Sequence, residues 1–431
     1  MSAVFVRDNY DKDNWGGRGT STALRQIVAT KHRIELSTPA SVFARRYREA
    51  RLLPSVIYDR VCGKLHRQRV VNTPVAGTAI DHALRVFGDP SPFSHDIKSN
   101  VAILQRISPA YPQLEKLLNA IDRSDSLMIN LEGDGIFTRR PRHTLIMALS
   151  LAQAAIERGK KVHMLNGMLS AQPDGYINRA TLEAATGVLA RCDSVVLREE
   201  ESLAFARENM PSVKAVVRAD ALFSWRDWFS FPQDLSQGPD RSHLSVYFDG
   251  WNGSIVDRLA QPYVAVGGSS AAAWNQKSAT RSYEHLITRL KSLGLPLVVV
   301  QTCAGDAFLE NIAKSQSVDF LPTRTPLPAA VAVLGNAQCF VSGRWHPSIM
   351  ASLNGTPCVM LGSNSHKTMS LQHQLGYQDP QVFPAIPSHR DVEDIVAKTE
   401  ATLQNSLEER ARLIPVAVEK AREAMSVAEL L

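Results

Sequence analysis

The sequence predicts an α/β protein with two domains. Its 431 residues exceed the length of one ordinary hydrophobic core. Short apolar runs with strand character alternate with amphipathic segments along the whole chain, and the connections between them are short. This alternation is typical of repeated βα units with parallel strands. In such a fold, ligands bind at the carboxyl ends of the strands, so the loops that follow the strands are the first place to look for a site.

The order of these segments predicts the domain boundaries. Residues 1–230 form the first predicted domain, residues 231–242 a linker, and residues 243–395 the second domain. The linker is predicted because Pro232, Gly238 and Pro239 occur there with aromatic residues nearby and no clear period. Residues 396–431 are charged and helical in pattern, and we expect this helix to pack back on the first domain.

The first domain opens with a predicted strand, a glycine-rich loop and a helix capped by Thr20 or Ser21. The loop lacks both the GxGxxG order of dinucleotide-binding folds and the lysine of P-loop NTPases. Residues 35–100 have little periodicity, and we predict short helices and loops there. Further strands are predicted at residues 126–131, 162–165, 194–197 and 215–217, and helices at residues 142–158 and 179–190.

The second domain contains the most informative unit of the chain. Its strands are predicted at residues 263–266, 297–301 and 318–321, and its helices at residues 281–293 and 307–315. A further strand begins at Gln338, and a strand that ends at Leu361 closes the unit.

Within this unit, Gly343 frees the backbone to turn after the strand, so Arg344 and His346 stand at the strand's carboxyl end. Pro347 suits the first position of the helix that follows, and Gly355 suits its C-terminal cap. A cation and an imidazole at a helix N-terminus predict a site for an anion such as a phosphate.

Composition excludes several classes of protein. The five cysteines are odd in number and lack CxxC spacing, which predicts buried small hydrophobes rather than disulfides or a thiolate zinc site. The net charge of +6 is too small to indicate a nucleic-acid partner. No apolar run approaches the roughly 18 residues of a membrane span. The first residues carry charges where a secretory signal needs an apolar block, so we expect a cytoplasmic protein.

Basic residues are concentrated between Arg45 and Arg69, where eight Lys or Arg residues accompany only Glu49 and Asp59. The simplest interpretation is a solvated helix face. The alternative is a surface that meets an anionic acceptor or makes peripheral contact with the inner face of a membrane. The sequence leaves both open.

Five motifs resemble those of one family. The last is the most specific, because it combines an S-x-R-x-H element with a G-x-P turn and a lysine. The motifs are Asn14-Trp-Gly-Gly-Arg-Gly with Ala23-Leu24, Leu131-Glu-Gly-Asp-Gly135, Val196-Leu-Arg-Glu-Glu-Glu-Ser202, Asp220-Ala-Leu-Phe223, and Ser342-Gly-Arg-Trp-His346 with Gly355-Thr-Pro357 and Lys367. With them, the chain resembles the polysaccharide pyruvyl transferase family.

The resemblance implies two Rossmann-like domains arranged as in GT-B glycosyltransferases, with the site in the interdomain cleft. It implies transfer of a pyruvyl group from phosphoenolpyruvate to two hydroxyls of a sugar, which gives a cyclic ketal in polysaccharide or exopolysaccharide biosynthesis. The acceptor is a sugar, an oligosaccharide or a lipid-linked glycan, on the first-domain side, and the donor lies on the second-domain side. No cofactor is expected, because phosphoenolpyruvate is a substrate.

The chemistry of this transfer selects the candidate residues. Addition of an alcohol to an enol ether begins when an acid protonates the methylene carbon, and His346 is the candidate because imidazole titrates near neutral pH. The donor's carboxylate and phosphate need cations, and the planar fork of arginine suits both. We therefore assign Arg198 and Arg344 to the clamp that holds the donor, and Arg198 also to catalysis with His346. Lys367, Ser342 and Ser348 complete the predicted donor-binding set, and the candidates for acceptor binding or for a base are Asn14, Asp134, Glu199 and Asp220.

Simpler interpretations stay open at this point. His346 could be a structural histidine, Arg198 could form a surface ion pair with the glutamates after it, and His366-Lys367 could lie in a solvated loop. Glu132 and Asp134 fall short of a metal-ligand set, so we expect no metal. Two other functions also fit the chain. They are a GT-B glycosyltransferase that uses a nucleotide sugar and a non-catalytic glycan-binding protein.

Overall fold

The computed structural model describes residues 1–44, 93–133, 135–139, 142–231, 244–248 and 253–431. The basic segment between Arg45 and Arg69 lies outside these residues. Asp134 and nearly all of the predicted linker, residues 232–242, also lie outside them.

Two parallel six-stranded sheets form the fold, which confirms the predicted α/β class. The first sheet has the order β2-β1-β3-β5-β7-β8, with a separate two-stranded pair β4-β6 beside it. Its strands are β1 Ser2–Asp8, β2 Arg33–Pro39, β3 Ser126–Asn130, β4 Gly135–Ile136, β5 Lys161–Gly167, β6 Leu169–Ser170, β7 Ser194–Leu197 and β8 Ala215–Val217.

The second sheet has the order β11-β10-β9-β12-β13-β14. The order reverses between β9 and β12, and a crevice opens beyond the strand ends at such a switch point. The strands are β9 Val264–Ser269, β10 Leu297–Val300, β11 Asp319–Leu321, β12 Cys339–Gly343, β13 Cys358–Leu361 and β14 Val382–Phe383.

Helices cover the faces of both sheets. Those of the first half are α1 Trp15–Ala29, α2 Ala40–Ala44, α3 Ile97–Ile107, α4 Pro112–Arg123, α5 His143–Glu157, α6 Arg179–Leu189 and α7 Glu200–Asn209. Those of the second half are α8 Gly253–Leu259, α9 Gln276–Lys291, α10 Phe308–Ser315, α11 Leu327–Asn336, α12 Trp345–Ser352, α13 Lys367–Gln374, α14 His389–Gln404 and α15 Ser406–Met425. Among the helices that the structure describes, none is long and apolar enough to cross a membrane.

Three local predictions were wrong. Helix α1 begins at Trp15 rather than near Thr20, because the Asn14 side chain accepts from the Gly17 N–H at 2.9 Å and caps the helix. Residues 33–39, predicted in part as loop, form β2, since parallel pairing with β1 decides this segment more than its own pattern. Helix α12 begins at Trp345, so Pro347 is its third residue and not its first.

The two halves share a buried apolar core. Trp15 and Leu24 of α1 belong to the same cluster as Phe223, which follows β8, and Ile349 and Met350 of α12. The Trp15 N–H also donates to the Thr302 carbonyl oxygen at 2.9 Å. Contacts of this kind fix how the strand ends of the two sheets face each other.

The C-terminal helix contacts both halves. Helix α15 packs against the 3₁₀ helix Ala221–Trp228, and Arg410 donates to the carbonyl oxygens of Gly335 at 2.7 Å and Asn354 at 2.9 Å. The Leu431 carbonyl oxygen lies 3.3 Å from His32 Nε2 in the first half. The domain boundaries themselves stay predictions.

Candidate active site

Side chains that follow the strands of both sheets meet between the two halves of the chain. Arg198 and Glu199 follow β7, and Asp220 follows β8. Arg344 caps α12 after β12, and His346 lies in the first turn of that helix. All five were selected from the sequence. The structure brings Arg198, Glu199, Asp220 and His346 into one network of contacts, whereas the Arg344 side chain pairs with another residue nearby.

The centre of the network is a contact between His346 and Asp220. His346 Nε2 lies 3.2 Å from Asp220 Oδ2, and the same oxygen accepts from Trp345 Nε1 at 2.9 Å and from Asn166 Nδ2 at 3.1 Å. Burial raises the pKa of Asp220. The charge and hydrogen bond of His346, together with the charge of Arg198, lower the pKa by more than burial raises it, so it lies below the usual value. Asp220 is therefore an ionised carboxylate that holds the imidazole in place.

Arg198 lies against the same pair. Its Nη1 atom is 3.3 Å from His346 Nε2 and 3.4 Å from Asp220 Oδ2. Its guanidinium carbon stands 4.7 Å from the centre of the Trp345 ring, a cation–π contact. The side chain is buried, so Arg198 is a fixed cation beside the imidazole and not the surface ion pair of the simpler interpretation.

Gly16 and Glu132, both in the first half of the chain, complete the surroundings of His346. A Cβ atom on Gly16 would lie 2.4 Å from His346 Cβ, so only glycine allows α1 to approach the imidazole this closely. His346 Nδ1 lies 3.8 Å from Glu132 Oε1, and Asn9 Nδ2 donates to the other oxygen of Glu132 at 2.9 Å. The imidazole is thus held between carboxylates of the first half.

Arg344 has a buried partner that the sequence did not indicate. Its Nη2 atom donates to Asp306 Oδ1 at 2.5 Å, and Thr302 Oγ1 donates to the other oxygen of Asp306 at 2.9 Å. Burial lowers the pKa of Arg344, but Asp306 raises it more, so the guanidinium stays charged. A Cβ on Gly268 would lie 2.0 Å from Asp306 Oδ1, so glycine at the end of β9 lets this carboxylate approach.

Lys367 is a cation with an unusually low pKa. Burial, together with the positive charges of Arg198 and Arg344, lowers its pKa to about 7. Its Nζ atom donates to Asn364 Oδ1 at 2.6 Å. Three cations thus lie within electrostatic range of one another, an arrangement that an anionic ligand would stabilise.

A second carboxylate–imidazole pair lies beside the first. Glu199 Oε1 is 2.9 Å from His366 Nε2 and also accepts from the Ser202 hydroxyl. Glu199 Oε2 lies 3.6 Å from Arg198 Nε, so the Arg198 side chain separates the two pairs.

The side chains of the remaining predicted residues form hydrogen bonds with the backbone. The Ser342 hydroxyl donates to the Gly268 carbonyl oxygen at 3.0 Å, and the Ser348 hydroxyl donates to the Arg344 carbonyl oxygen at 2.7 Å. Asn14 caps α1. The roles of these three in donor or acceptor binding stay predictions, and Asp134 lies outside the described residues. Within the described part of the chain, no group of three or more His, Cys, Asp or Glu residues could hold a metal ion.

The sequence analysis missed several contributors to the network. Asp306 and Asn166 were not selected, and Gly16 was noted only as part of a motif. Asp306 follows β10 within a short Cys-Ala-Gly-Asp stretch, so its place after a strand was the one available signal. Asn166 belongs to β5 itself and has positive φ, which the sequence alone does not reveal.

Solved structures with the same architecture exist. The fold is similar to that of UDP-GlcNAc 2-epimerase from Neisseria meningitidis bound to UDP-GlcNAc, with a TM-score of 0.53 and 11% identity over 100% of this chain and 98% of that chain. It is similar to Anabaena Alr3699/HepE in complex with UDP, with a TM-score of 0.51 and 12% identity over 100% and 98% of the two chains. It is also similar to trehalose-6-phosphate synthase OtsA, with a TM-score of 0.51 and 12% identity over 100% and 97%. These likenesses confirm the predicted GT-B-like fold.

No curated protein sequence matches the chain. The sequence model of the family described as "Polysaccharide pyruvyl transferase" matches residues 84–365, which is more than half of the chain and includes Arg198, Asp220, Arg344 and His346. On this match, and with the predicted motifs meeting in one network, the chain belongs to the polysaccharide pyruvyl transferase family.

Proposed function

We propose that this protein transfers the pyruvyl group of phosphoenolpyruvate to two hydroxyls of a sugar, in a polysaccharide or its precursor, and forms a cyclic ketal. Membership of a transferase family supports the general reaction class. One observation carries the finer proposal: the His346–Asp220 pair lies in direct contact with Arg198 and near two further cations.

In the proposed reaction, His346 supplies the proton that begins the addition. The first sugar hydroxyl bonds to C2 of phosphoenolpyruvate, the C2–C3 π electrons move to C3, and C3 takes the proton from the imidazolium. Phosphate then leaves with the C2–O electron pair, and the second hydroxyl bonds to C2. Of the two hydroxyl protons, one replaces the proton given to the methyl group and the other leaves with phosphate. Asp220 orients the imidazole that delivers this proton.

The cations suit the donor's charge. Phosphoenolpyruvate carries a carboxylate and a phosphate, and arginine can bind either through two parallel hydrogen bonds. Arg198 and Arg344 stand on opposite halves of the site, so a ligand bound to both would be held across the cleft. Lys367 is expected to gain its proton when the anion binds, because negative charge nearby favours its charged form.

A labelling experiment tests the donor. Purified protein is incubated with phosphoenolpyruvate labelled with ¹⁴C in its pyruvyl carbons and with a panel of sugar and glycan acceptors. In parallel, the protein is incubated with labelled nucleotide sugars and the same acceptors, because two proteins of similar fold were solved with UDP-GlcNAc or UDP bound. We expect acid-labile label to move from phosphoenolpyruvate together with release of phosphate. Transfer only from a nucleotide sugar would instead make the protein a glycosyltransferase.

A second experiment separates catalysis from glycan binding. His346→Ala should lower turnover by about 10²–10⁴-fold, the usual contribution of a general acid or base, while binding of phosphoenolpyruvate changes little. A non-catalytic glycan-binding protein would show no turnover in the native protein, and its glycan affinity would not depend on His346.

A further inference from the structure

The geometry points to His366 as a second proton-transfer residue, one that accepts the proton of the acceptor hydroxyl in a cavity beside the His346 network. This inference rests on the proposed function. It assigns to the acceptor sugar a cavity of about 480 Å³ between the two halves of the chain.

The cavity has the size and lining of a sugar site. Its volume falls within the roughly 300–1,000 Å³ of small-molecule pockets. The polar part of its lining is mostly uncharged and includes Ser170, Gln172, Ser363 and Ser365; the apolar part consists of Leu169, Ala171, Pro173 and Phe205. Neutral hydrogen-bonding groups beside apolar surface suit a polyhydroxylated ligand better than an anion. The ionisable residues in the lining are Glu201 and His366.

His366 is oriented by a buried carboxylate. Its side chain is 27% exposed, whereas that of Glu199 is fully buried. A carboxylate accepts hydrogen bonds, so its contact with Nε2 at 2.9 Å places the ring hydrogen on Nε2. In the neutral ring, Nδ1 then keeps a lone pair that can accept a proton. The arrangement matches the one in which a carboxylate orients a histidine base.

The second pair supplies a carrier for the proton of the first hydroxyl, which the reaction scheme with His346 leaves unassigned. When the first hydroxyl bonds to C2, its proton passes to His366 Nδ1 while His346 protonates C3. The departing phosphate takes the proton from His366. When the second hydroxyl bonds to C2, His346 receives its proton and both imidazoles return to their starting states.

A nearby histidine, His373, provides a matched control for variants of His366. His373 Nδ1 lies 3.3 Å from Glu201 Oε1, so a histidine of α13, which His366 precedes, pairs with a glutamate of α7, which Glu199 precedes. The His373 side chain is 55% exposed and does not line the cavity. His373→Gln therefore removes an imidazole–carboxylate contact at the same place between the two halves without replacing any residue that lines the cavity, and Glu201 stays in place.

The test compares His366→Gln, His366→Ala and His373→Gln with the native protein, using phosphoenolpyruvate and the best acceptor of the sugar panel. We expect His366→Gln to lower kcat by about 10²-fold or more, with phosphoenolpyruvate affinity within twofold by calorimetry. His373→Gln should retain native kcat. Added imidazole should restore part of the activity of His366→Ala. An acceptor analogue with a fluorine next to the reacting hydroxyl should show a smaller deficit, because a more acidic hydroxyl needs less help from a base.

Two outcomes overturn the inference while leaving the proposed function intact. One is native kcat in His366→Gln. The other is a loss that imidazole does not restore and that is equal for both acceptors, which identifies His366 as an interdomain structural contact. If the native protein transfers nothing from phosphoenolpyruvate, the proposed function itself fails.

Discussion

The two halves of the candidate site differ in the charges that they contribute. The first half supplies the carboxylates Glu199 and Asp220, both fully buried, whereas the second supplies their partner imidazoles, His366 and His346. Each carboxylate–imidazole pair therefore joins the two halves of the chain. A buried charge without its partner is strongly destabilising, so the charges of either half are satisfied only when the two halves meet. The site depends on the arrangement of the domains as much as on the residues within them.

The two pairs also differ in how tightly they are held. Asp220 Oδ2 receives hydrogen bonds from Trp345, Asn166 and Arg198 in addition to His346. Glu199 Oε1, in contrast, accepts from the Ser202 hydroxyl alone in addition to His366, and Glu199 Oε2 has no hydrogen-bond partner among the described residues. We therefore call His346–Asp220 the rigid pair, and a fixed geometry suits an acid that must meet one carbon atom.

Among variants of the residues that support the two imidazoles, the largest effect is expected from Asp220→Asn, which removes the charge of the rigid pair. Asparagine cannot hold the imidazole as the buried carboxylate does, so kcat should fall by about 10²–10³-fold. The free energy of unfolding should fall by about 3 kcal/mol, because Arg198 loses a buried counter-charge. Steady-state kinetics and denaturant unfolding measure the two effects. If kcat stays within threefold of the native value, the rigid pair is structural and the contrast between the pairs disappears.

Gly16→Ala tests whether the position of His346 depends on the first half. The new Cβ would lie 2.4 Å from His346 Cβ, so the helix or the imidazole must move. We expect kcat to fall by about 10²-fold, since small misplacements of a catalytic group are costly. Gly187→Ala is the matched control. It lies within α6 with nothing within 4 Å of the new Cβ, and should stabilise the fold by about 1 kcal/mol with kcat unchanged. Native kcat in Gly16→Ala would show that the imidazole tolerates displacement.

Replacing each site arginine by lysine compares the two halves directly. Arg198→Lys loses the stacking on Trp345 and the contacts with Asp220, whereas Arg344→Lys loses the fork but can keep an ion pair with Asp306. We expect both to weaken phosphoenolpyruvate binding, Arg198→Lys by about tenfold or more and Arg344→Lys by less. Calorimetry with phosphoenolpyruvate measures the affinities. Unchanged affinity in both variants would remove these residues from the donor clamp.

The sequence predicted the second half of the site better than the first, because the two halves depend on different kinds of contact. Gly343, Arg344 and His346 are adjacent in sequence, and Gly355 ends the helix with a φ of 72°, as the pattern of a local unit indicates. The first half depends on contacts between distant residues. Asp220 is 125 positions from the Trp345 indole that it accepts from, and no local period reveals such a pair.

The start of α1 also depends on a distant contact that the local sequence does not reveal. Its first turn contains two glycines, which are weak helix formers, so the pattern indicated a loop. Gly16 is nevertheless required there because His346, from the other half of the chain, lies against it. The low helix propensity of glycine is therefore a poor guide at this position, because the contact with His346 requires glycine there.

The smallest expected effect is a pH dependence of phosphoenolpyruvate binding. It is due to Lys367, which belongs to the second half and to the predicted donor-binding set. Its pKa of about 7 means that half of the free protein carries an uncharged amine at that pH. A bound phosphate raises this pKa, so binding takes up a proton above pH 7 and affinity for phosphoenolpyruvate falls as pH rises, by at most about tenfold per pH unit. Below pH 7 the amine is already charged and contributes no further slope, although the donor's own phosphate protonates near pH 6.

Calorimetry at pH 7, 8 and 9, in buffers of different ionisation enthalpy, measures both the affinity and the proton uptake. Lys367→Arg is the matched control, because its guanidinium stays charged throughout this range and its affinity should not vary with pH. Lys367→Met should bind more weakly at pH 7 and also lack the slope. The same slope in the native protein and in Lys367→Arg would assign the titration to another group and leave Arg198, with Arg344, as the cations that set the donor affinity.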